Sequence, residues 1–176
     1  MPDPFSDPKW QADFFTRRRL EQAQIPVRFA DKTLDNFSAR DKVRARIVRD
    51  AGDYVKAFEV KDGKYPDGLL LSGGFGSGKT HLAIAILRGV IAKGHTGLFC
   101  NVSSLLHDIR ATFRDDAEIS EDDLIETLTS ADLLVLDDLG SERVTDFVLD
   151  RFYLVVNERY GTGKPMILTS NLDDPT

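Results

Sequence analysis

The run Gly73-Gly74-Phe75-Gly76-Ser77-Gly78-Lys79-Thr80 constrains this 176-residue chain more than any other feature. It lies between an apolar triplet, Leu69-Leu70-Leu71, and a helical pattern over 79–93 that Gly94 closes. A short apolar run ending in glycines reads as a buried parallel strand. Glycines allow backbone turns that side chains would block, so several N–H groups can converge on one anion. The helix beginning near Lys79 points its positive end at the same place. The spacing G-x-x-x-x-G-K-[ST] is therefore a phosphate cradle. Lys79 is expected to reach the β- and γ-phosphates of a nucleoside triphosphate, and Thr80 to place its hydroxyl on Mg²⁺. Residues 73–80, together with the neighbouring His81, are the candidates for nucleotide binding, with ATP as the expected ligand.

After this cradle the pattern of strand, loop and helix repeats. Residues 96–102 read as a second strand, followed by a helix from 103 or 104 to about 113. Ser120 can cap a helix running to about 130, and the acids Glu121, Asp122 and Asp123 suit its positive end. Residues 132–137 form a third apolar strand. Phe147, Val148, Phe152, Val155 and Val156 mark a further helix that ends near Gly161, and 165–170 make a fourth strand. Apolar strands alternating with helices predict a parallel sheet covered on both faces, a three-layer α/β/α fold. Upstream, apolar residues from Val43 to Phe58 recur at spacings of three and four and predict a helix with one buried stripe. A shorter helix is expected over 9–22. Three prolines among the first eight residues suggest a disordered start. The division implied is an N-terminal extension or linker over 1–36 and an ATPase core over 37–176.

Two further elements carry chemistry. The third strand ends in Asp137 and Asp138, which places carboxylates at the carboxyl edge of the sheet, where α/β folds bind ligands. Asp137 is expected to hold Mg²⁺, with Thr80 as the other metal-binding candidate. Asp138 is expected to activate the attacking water as a catalytic base. The fourth strand ends Thr169-Ser170-Asn171, and Asn171 is a catalytic candidate beside Lys79 and Asp138, placed to touch the γ-phosphate or the lytic water. A strand-ending Asn is also a common turn former.

Composition narrows the class. The chain carries a net charge of −6, which argues against non-specific DNA binding by the whole surface. The sign is uneven, however. Arg17, Arg18 and Arg19 form one basic knot, and Arg40, Lys42, Arg44, Arg46 and Arg49 a second, read most simply as a solvated helix face. One cysteine, Cys100, excludes an internal disulfide framework and a cysteine-based zinc site. No apolar run is long enough for a membrane span, and the N-terminus lacks the pattern of a secretory signal, so a cytoplasmic location is expected.

These elements together resemble the bacterial helicase-loader and transposition-helper ATPases, the DnaC/IstB-like branch of AAA+ proteins. The resemblance rests on GGFGSGKTHLA at 73–83, LLVLDDLGSE at 133–142, NERYGTGKPMILTSNL at 157–172 and the linker-like IPVRFADKTLDNF at 25–37. It implies an AAA+ core that binds ATP and Mg²⁺, self-associates side by side, contacts single-stranded DNA and delivers a replicative helicase or a transposase. In that family the chain continues to a fifth strand, an arginine acting across the subunit interface and a helical lid, so the fold reads here as truncated before the fifth strand and the C-terminal lid. The fifth strand lies beside the P-loop strand, whose edge is then expected to be covered by the N-terminal segment or another chain, or to mark a fragment. Arg151 and Arg159 are expected on the surface of a charged helix, or facing a neighbour. Trp10, Phe14, Phe15 and Leu20 are expected either to dock a partner or to pack on their own domain. The readings left open are a helicase loader, an IstB-type transposition helper and a truncated nucleotide-binding module with little turnover. A P-loop enzyme with a small-molecule acceptor is disfavoured, because no acceptor site is legible and the paired aspartates suit water attack.

Overall fold

The computed structural model describes residues 8–114, 116–140 and 146–171, apart from the side chains of Phe147 and Val148. The expected disordered start falls largely on 1–7 and lies outside them, as do Asp115, Glu142 and the apolar roles given to Phe147 and Val148. The elements run α1 (Pro8–Gln22), a 3-10 turn (Val27–Phe29), α2 (Lys42–Ala57), β1 (Leu69–Ser72), α3 (Lys79–Ala92), β2 (Gly97–Asn101), α4 (Val102–Ala111), α5 (Glu121–Ser130), β3 (Leu133–Leu139), α6 (Asp146–Gly161) and β4 (Met166–Ser170).

Local chemistry starts several of these helices. Asp41 caps α2 by accepting from the Arg44 N–H at 2.8 Å. Ser120 caps α5 through the Asp123 N–H at 3.1 Å, as the sequence predicts. Asn101 caps α4 in the same way, so that helix begins at Val102, earlier than expected.

The four strands are parallel, in the order β1-β4-β3-β2. Successive residues of β3 face opposite layers, because side chains alternate along a strand. Leu133 and Val135 join Ile84, Leu87, Phe99 and Phe58 under α2 and α3. Leu134 and Leu136 join Leu105, Ile109, Leu128 and Val155 under α4, α5 and α6. This is the three-layer α/β/α arrangement, with β3 and β4 at its centre.

The strand order exposes one side of β1. Among the described residues β1 pairs with β4 alone, and Leu70 is 65% exposed. Among the described residues, the N-terminal segment does not cover that edge. It runs at the opposite end of the sheet, where the Phe99 N–H donates to the Ala23 carbonyl at 2.8 Å. The apolar stripe of α2 is split for the same reason. Ala51 is buried and Val55 packs on the core, whereas Val43 and Ile47 overhang β1 and stay exposed beside a groove of about 550 Å³. On α1, Leu20 packs against the core while Phe14 and Phe15 are exposed.

Arg159 departs furthest from expectation. It is 0% exposed, and its guanidinium donates to the carbonyls of Leu128, Ala131 and Pro165 at 2.8, 2.9 and 2.8 Å. The carbonyls at the end of α5 have no intrahelical partner, and a planar five-donor fork satisfies several at once. Burial holds this guanidinium down at about 10. Arg151 is partly exposed and pairs with Glu121.

Candidate nucleotide site

The order β1-β4-β3 places three strand ends side by side at the carboxyl edge of the sheet. β1 delivers the glycine loop, β3 the two aspartates, and β4, between them, Asn171. Gly73, Gly76 and Gly78 have φ of 141°, 72° and 100°, which a side chain tolerates poorly. The loop therefore needs its glycines for its shape. α3 starts at Gly78 with no side-chain cap, in contrast to α2, α4 and α5. Its first N–H groups are left to an outside acceptor. The Ser77 hydroxyl in the same loop is buried and lacks a hydrogen-bond partner among the described residues. Phe75 stands out from the loop, 88% exposed.

A chain of short hydrogen bonds links the predicted residues. Lys79 Nζ donates to the carbonyls of Gly73 and Gly74 at 2.7 and 2.9 Å and to Asn171 Oδ1 at 2.7 Å. Asn171 Nδ2 donates to Asp138 Oδ1 at 2.6 Å. Thr80 Oγ1 donates to Asp137 Oδ1 at 2.8 Å. Asp137 is 5% exposed, so this carboxylate sits at the base of the site. Lys79, Thr80, Asp137, Asp138 and Asn171 thus converge on one small region, although the bonded side-chain pairs lie 33 to 92 positions apart in the sequence.

His81 is engaged elsewhere. Its Nε2–H donates to the Thr33 carbonyl at 2.9 Å, and its ring meets Phe37 edge to face at 5.1 Å. It fastens the segment before α2 to the start of α3.

The residues fit a phosphate ligand with a divalent cation. The open start of α3 and the partnerless Ser77 hydroxyl offer donors to an anion. The Thr80 hydroxyl beside the Asp137 carboxylate is a hard-oxygen pair of the kind Mg²⁺ takes together with phosphate oxygens and water.

Comparison with known proteins gives the family of the chain. A profile of the family described as IstB-like ATP binding protein matches residues 12–174, nearly the whole chain and every residue of the network. The chain belongs to that family. Its relatives include the replicative helicase loader DnaC of Buchnera aphidicola, 26% identical over 89% of this chain and 62% of the relative. An ATP-binding protein in an insertion sequence of Mycobacterium tuberculosis is 31% identical over 88% of this chain and 57% of its own length. This IstB-like chain therefore spans less than two thirds of the curated relatives it matches. Among solved structures, a DnaC helicase loader superposes with a TM-score of 0.73 at 28% identity, covering 86% of this chain and 83% of the other. The fold is the AAA+ type of P-loop core.

Two features of the IstB-like site escaped the sequence reading. The first is the segment 31–37, which ties itself into a compact loop. Thr33 N–H donates to Asn36 Oδ1 at 2.9 Å, and Asn36 Nδ2 donates to the Asp31 carbonyl at 2.8 Å. This loop seats Phe37 so closely on the glycine run that a Cβ at Gly78 would lie 2.8 Å from the ring. The Thr-x-x-Asn spacing was a legible turn signal, but nothing local told where the turn would dock. The second is Thr169, which sequence reading passed over in favour of Asn171.

Proposed function

We propose that this chain binds ATP with Mg²⁺ in the glycine loop and hydrolyses it, using the nucleotide state to control assembly with single-stranded DNA and a replicative helicase. One observation carries the reading: the hydrogen-bonded line from Lys79 through Asn171 to Asp138, beside Thr80 and Asp137. Lys79 and the α3 N-terminus would bind and orient the β- and γ-phosphates. Thr80 and Asp137 would hold the cation, which supplies charge neutralisation at the phosphate oxygens. Asp138 would take a proton from water as the water oxygen bonds to the γ-phosphorus and the bond to the bridging oxygen breaks toward ADP. Asn171, touching both Lys79 and Asp138, would sense the γ-phosphate and align that water. The ATPase core is proposed to occupy 37–176, with 1–36 as its extension.

The loader reading leans on the DnaC likeness. The transposition-helper reading leans on the family profile and the insertion-sequence relative. A binding module without turnover is the remaining reading. Calorimetry with ATP and a phosphate-release assay, each with and without single-stranded DNA, separates the ATPase readings from the binding module. Binding with DNA-stimulated release is expected. Binding without any release would leave the binding module, and failure of DNA to affect either measurement would remove the loader reading.

A further inference from the structure

β3 does not run regularly through its two aspartates. Leu136 lies opposite Leu168 and Leu139 opposite Ser170, so Asp137 and Asp138 together face Thr169 alone. One extra residue on a strand makes a bulge, which bends the strand and removes the local ladder bonds. Asp138 takes φ of 66°, a left-handed conformation uncommon for a residue with a side chain. Something must hold it there.

Thr169 is placed to do so. It is 1% exposed, and its hydroxyl accepts from the Asp138 N–H at 2.9 Å while donating to Asp137 Oδ1 at 2.7 Å. A hydroxyl has one proton and two lone pairs, so one atom can serve both bonds. The first bond occupies the N–H that the bulge takes out of the ladder. The second adds to the Thr80 bond on the same oxygen, so Asp137 Oδ1 receives two hydroxyl protons. With the backbone turned in this way, the Asp138 carboxylate reaches Asn171 at 2.6 Å.

We propose that Thr169 is a positioning residue: its hydroxyl fixes the bulge and thereby sets the directions of both acids, Asp137 towards Thr80 and Asp138 towards Asn171. The proposal rests on the ATPase reading for its catalytic consequence, while the bulge itself is independent of that reading.

The test uses Thr169→Val, which keeps the shape and removes the hydroxyl, with Thr169→Ser as the rescue. ATP affinity, kcat and hydrogen exchange at the Asp138 amide are measured on the whole chain. In Thr169→Val, ATP affinity measured without Mg²⁺ stays within about threefold, while kcat with Mg²⁺ falls about 10- to 100-fold, part of what a well-placed base supplies. Exchange at Asp138 quickens by at least about tenfold as its N–H loses its acceptor, and amides elsewhere in the sheet keep their protection. Thr169→Ser restores all three. Unchanged turnover in Thr169→Val overturns the proposal, and so does a loss of affinity parallel to kcat, or protection lost throughout the sheet. If the parent chain binds ATP without hydrolysing it, the ATPase reading fails and the amide decides. Exchange quickened at Asp138 alone then supports the hydroxyl lock, and unchanged exchange there overturns it.

Discussion

Lys79 and Asn171 meet at 2.7 Å, and the same Asn171 amide reaches Asp138 at 2.6 Å through its nitrogen. The orientation of that amide is fixed by chemistry. The Lys79 ammonium only donates and the Asp138 carboxylate only accepts, so the amide must present oxygen to one and nitrogen to the other. The relationship exists because β4 lies between β1 and β3. A residue at the end of the middle strand touches what both neighbours deliver. Asn171 is therefore the structural link between the phosphate cradle and the paired acids.

Replacing Lys79 with Ala is expected to weaken ATP binding about 100-fold. The ammonium contributes charge-assisted bonds worth about 1.5–3 kcal/mol each to a phosphate ligand, and roughly 1.4 kcal/mol is a factor of ten. Calorimetry on the folded variant checks this. Parent-like affinity would place the nucleotide somewhere other than the glycine loop.

Asp138→Asn is expected to bind ATP as the parent does and to lose turnover by about 10²- to 10⁴-fold, the usual contribution of a general base. Asn keeps the size of the side chain and can still bond the Asn171 amide through its oxygen. Phosphate release under single-turnover conditions is the measurement. Turnover within a few-fold of the parent would assign the water to another group.

The layout of this site was largely legible because its parts are local. A glycine run, a strand ending in acids and a strand ending in Thr-Ser-Asn each announce themselves within eight residues. Their chemistry also required that the strand ends converge, which a parallel sheet supplies. What sequence could not give was register. The bulge at Asp137 and Asp138 depends on how β3 slides against β4, and no local pattern encodes it. The burial of Arg159 was illegible for a similar reason. On a helix with charged neighbours an arginine reads as exposed, and only tertiary packing brings the end of α5 and the start of β4 over it. The exposure of Val43 and Ile47 follows from the open side of β1, which periodicity within α2 cannot reveal.

Arg159→Met is expected to destabilise the fold by about 3–5 kcal/mol, since each buried carbonyl left without its donor costs about 1–3 kcal/mol. Methionine fills much of the volume, but the carbonyls of Leu128, Ala131 and Pro165 each lose a donor. Lys164, which donates to Thr129 and Ser130 at 2.9 and 2.8 Å, covers the other carbonyls at the end of α5 and cannot replace the fork. Arg159→Lys should recover a part, since a point charge satisfies fewer of these carbonyls. Urea unfolding of the three proteins measures the effect. A cost below about 1 kcal/mol would mean that solvent reaches these carbonyls when the guanidinium is removed.

Cys100 provides a pH test of the packing around β2. Burial pushes its thiol from an ordinary 9.0 up to about 12, with Asp108 adding to the rise. In the unfolded chain the thiol ionises near its ordinary value, so above pH 9 the unfolded state binds fewer protons than the folded one. Stability from this group is therefore complete below pH 9 and is lost as pH rises from 9 towards 12, with a slope of at most about 1.4 kcal/mol per unit. At pH 9.5 the loss is on the order of 1 kcal/mol. Tyr54, also raised by burial to about 12, acts in the same direction but only from its ordinary 10.0, so the interval just above pH 9 belongs mainly to the thiol. The comparison is urea unfolding of the parent and Cys100→Ala at pH 8.0 and 9.5. The substitution shifts stability at both pH values through lost packing, and only the parent carries the extra decline. Iodoacetamide provides a second reading. At pH 8.5 the folded thiol should react roughly 10³ times more slowly than the unfolded one, because the thiolate is the nucleophile. Rapid alkylation of the folded protein, with no difference in slope between parent and variant, would show that β2 leaves the sulfur open to water.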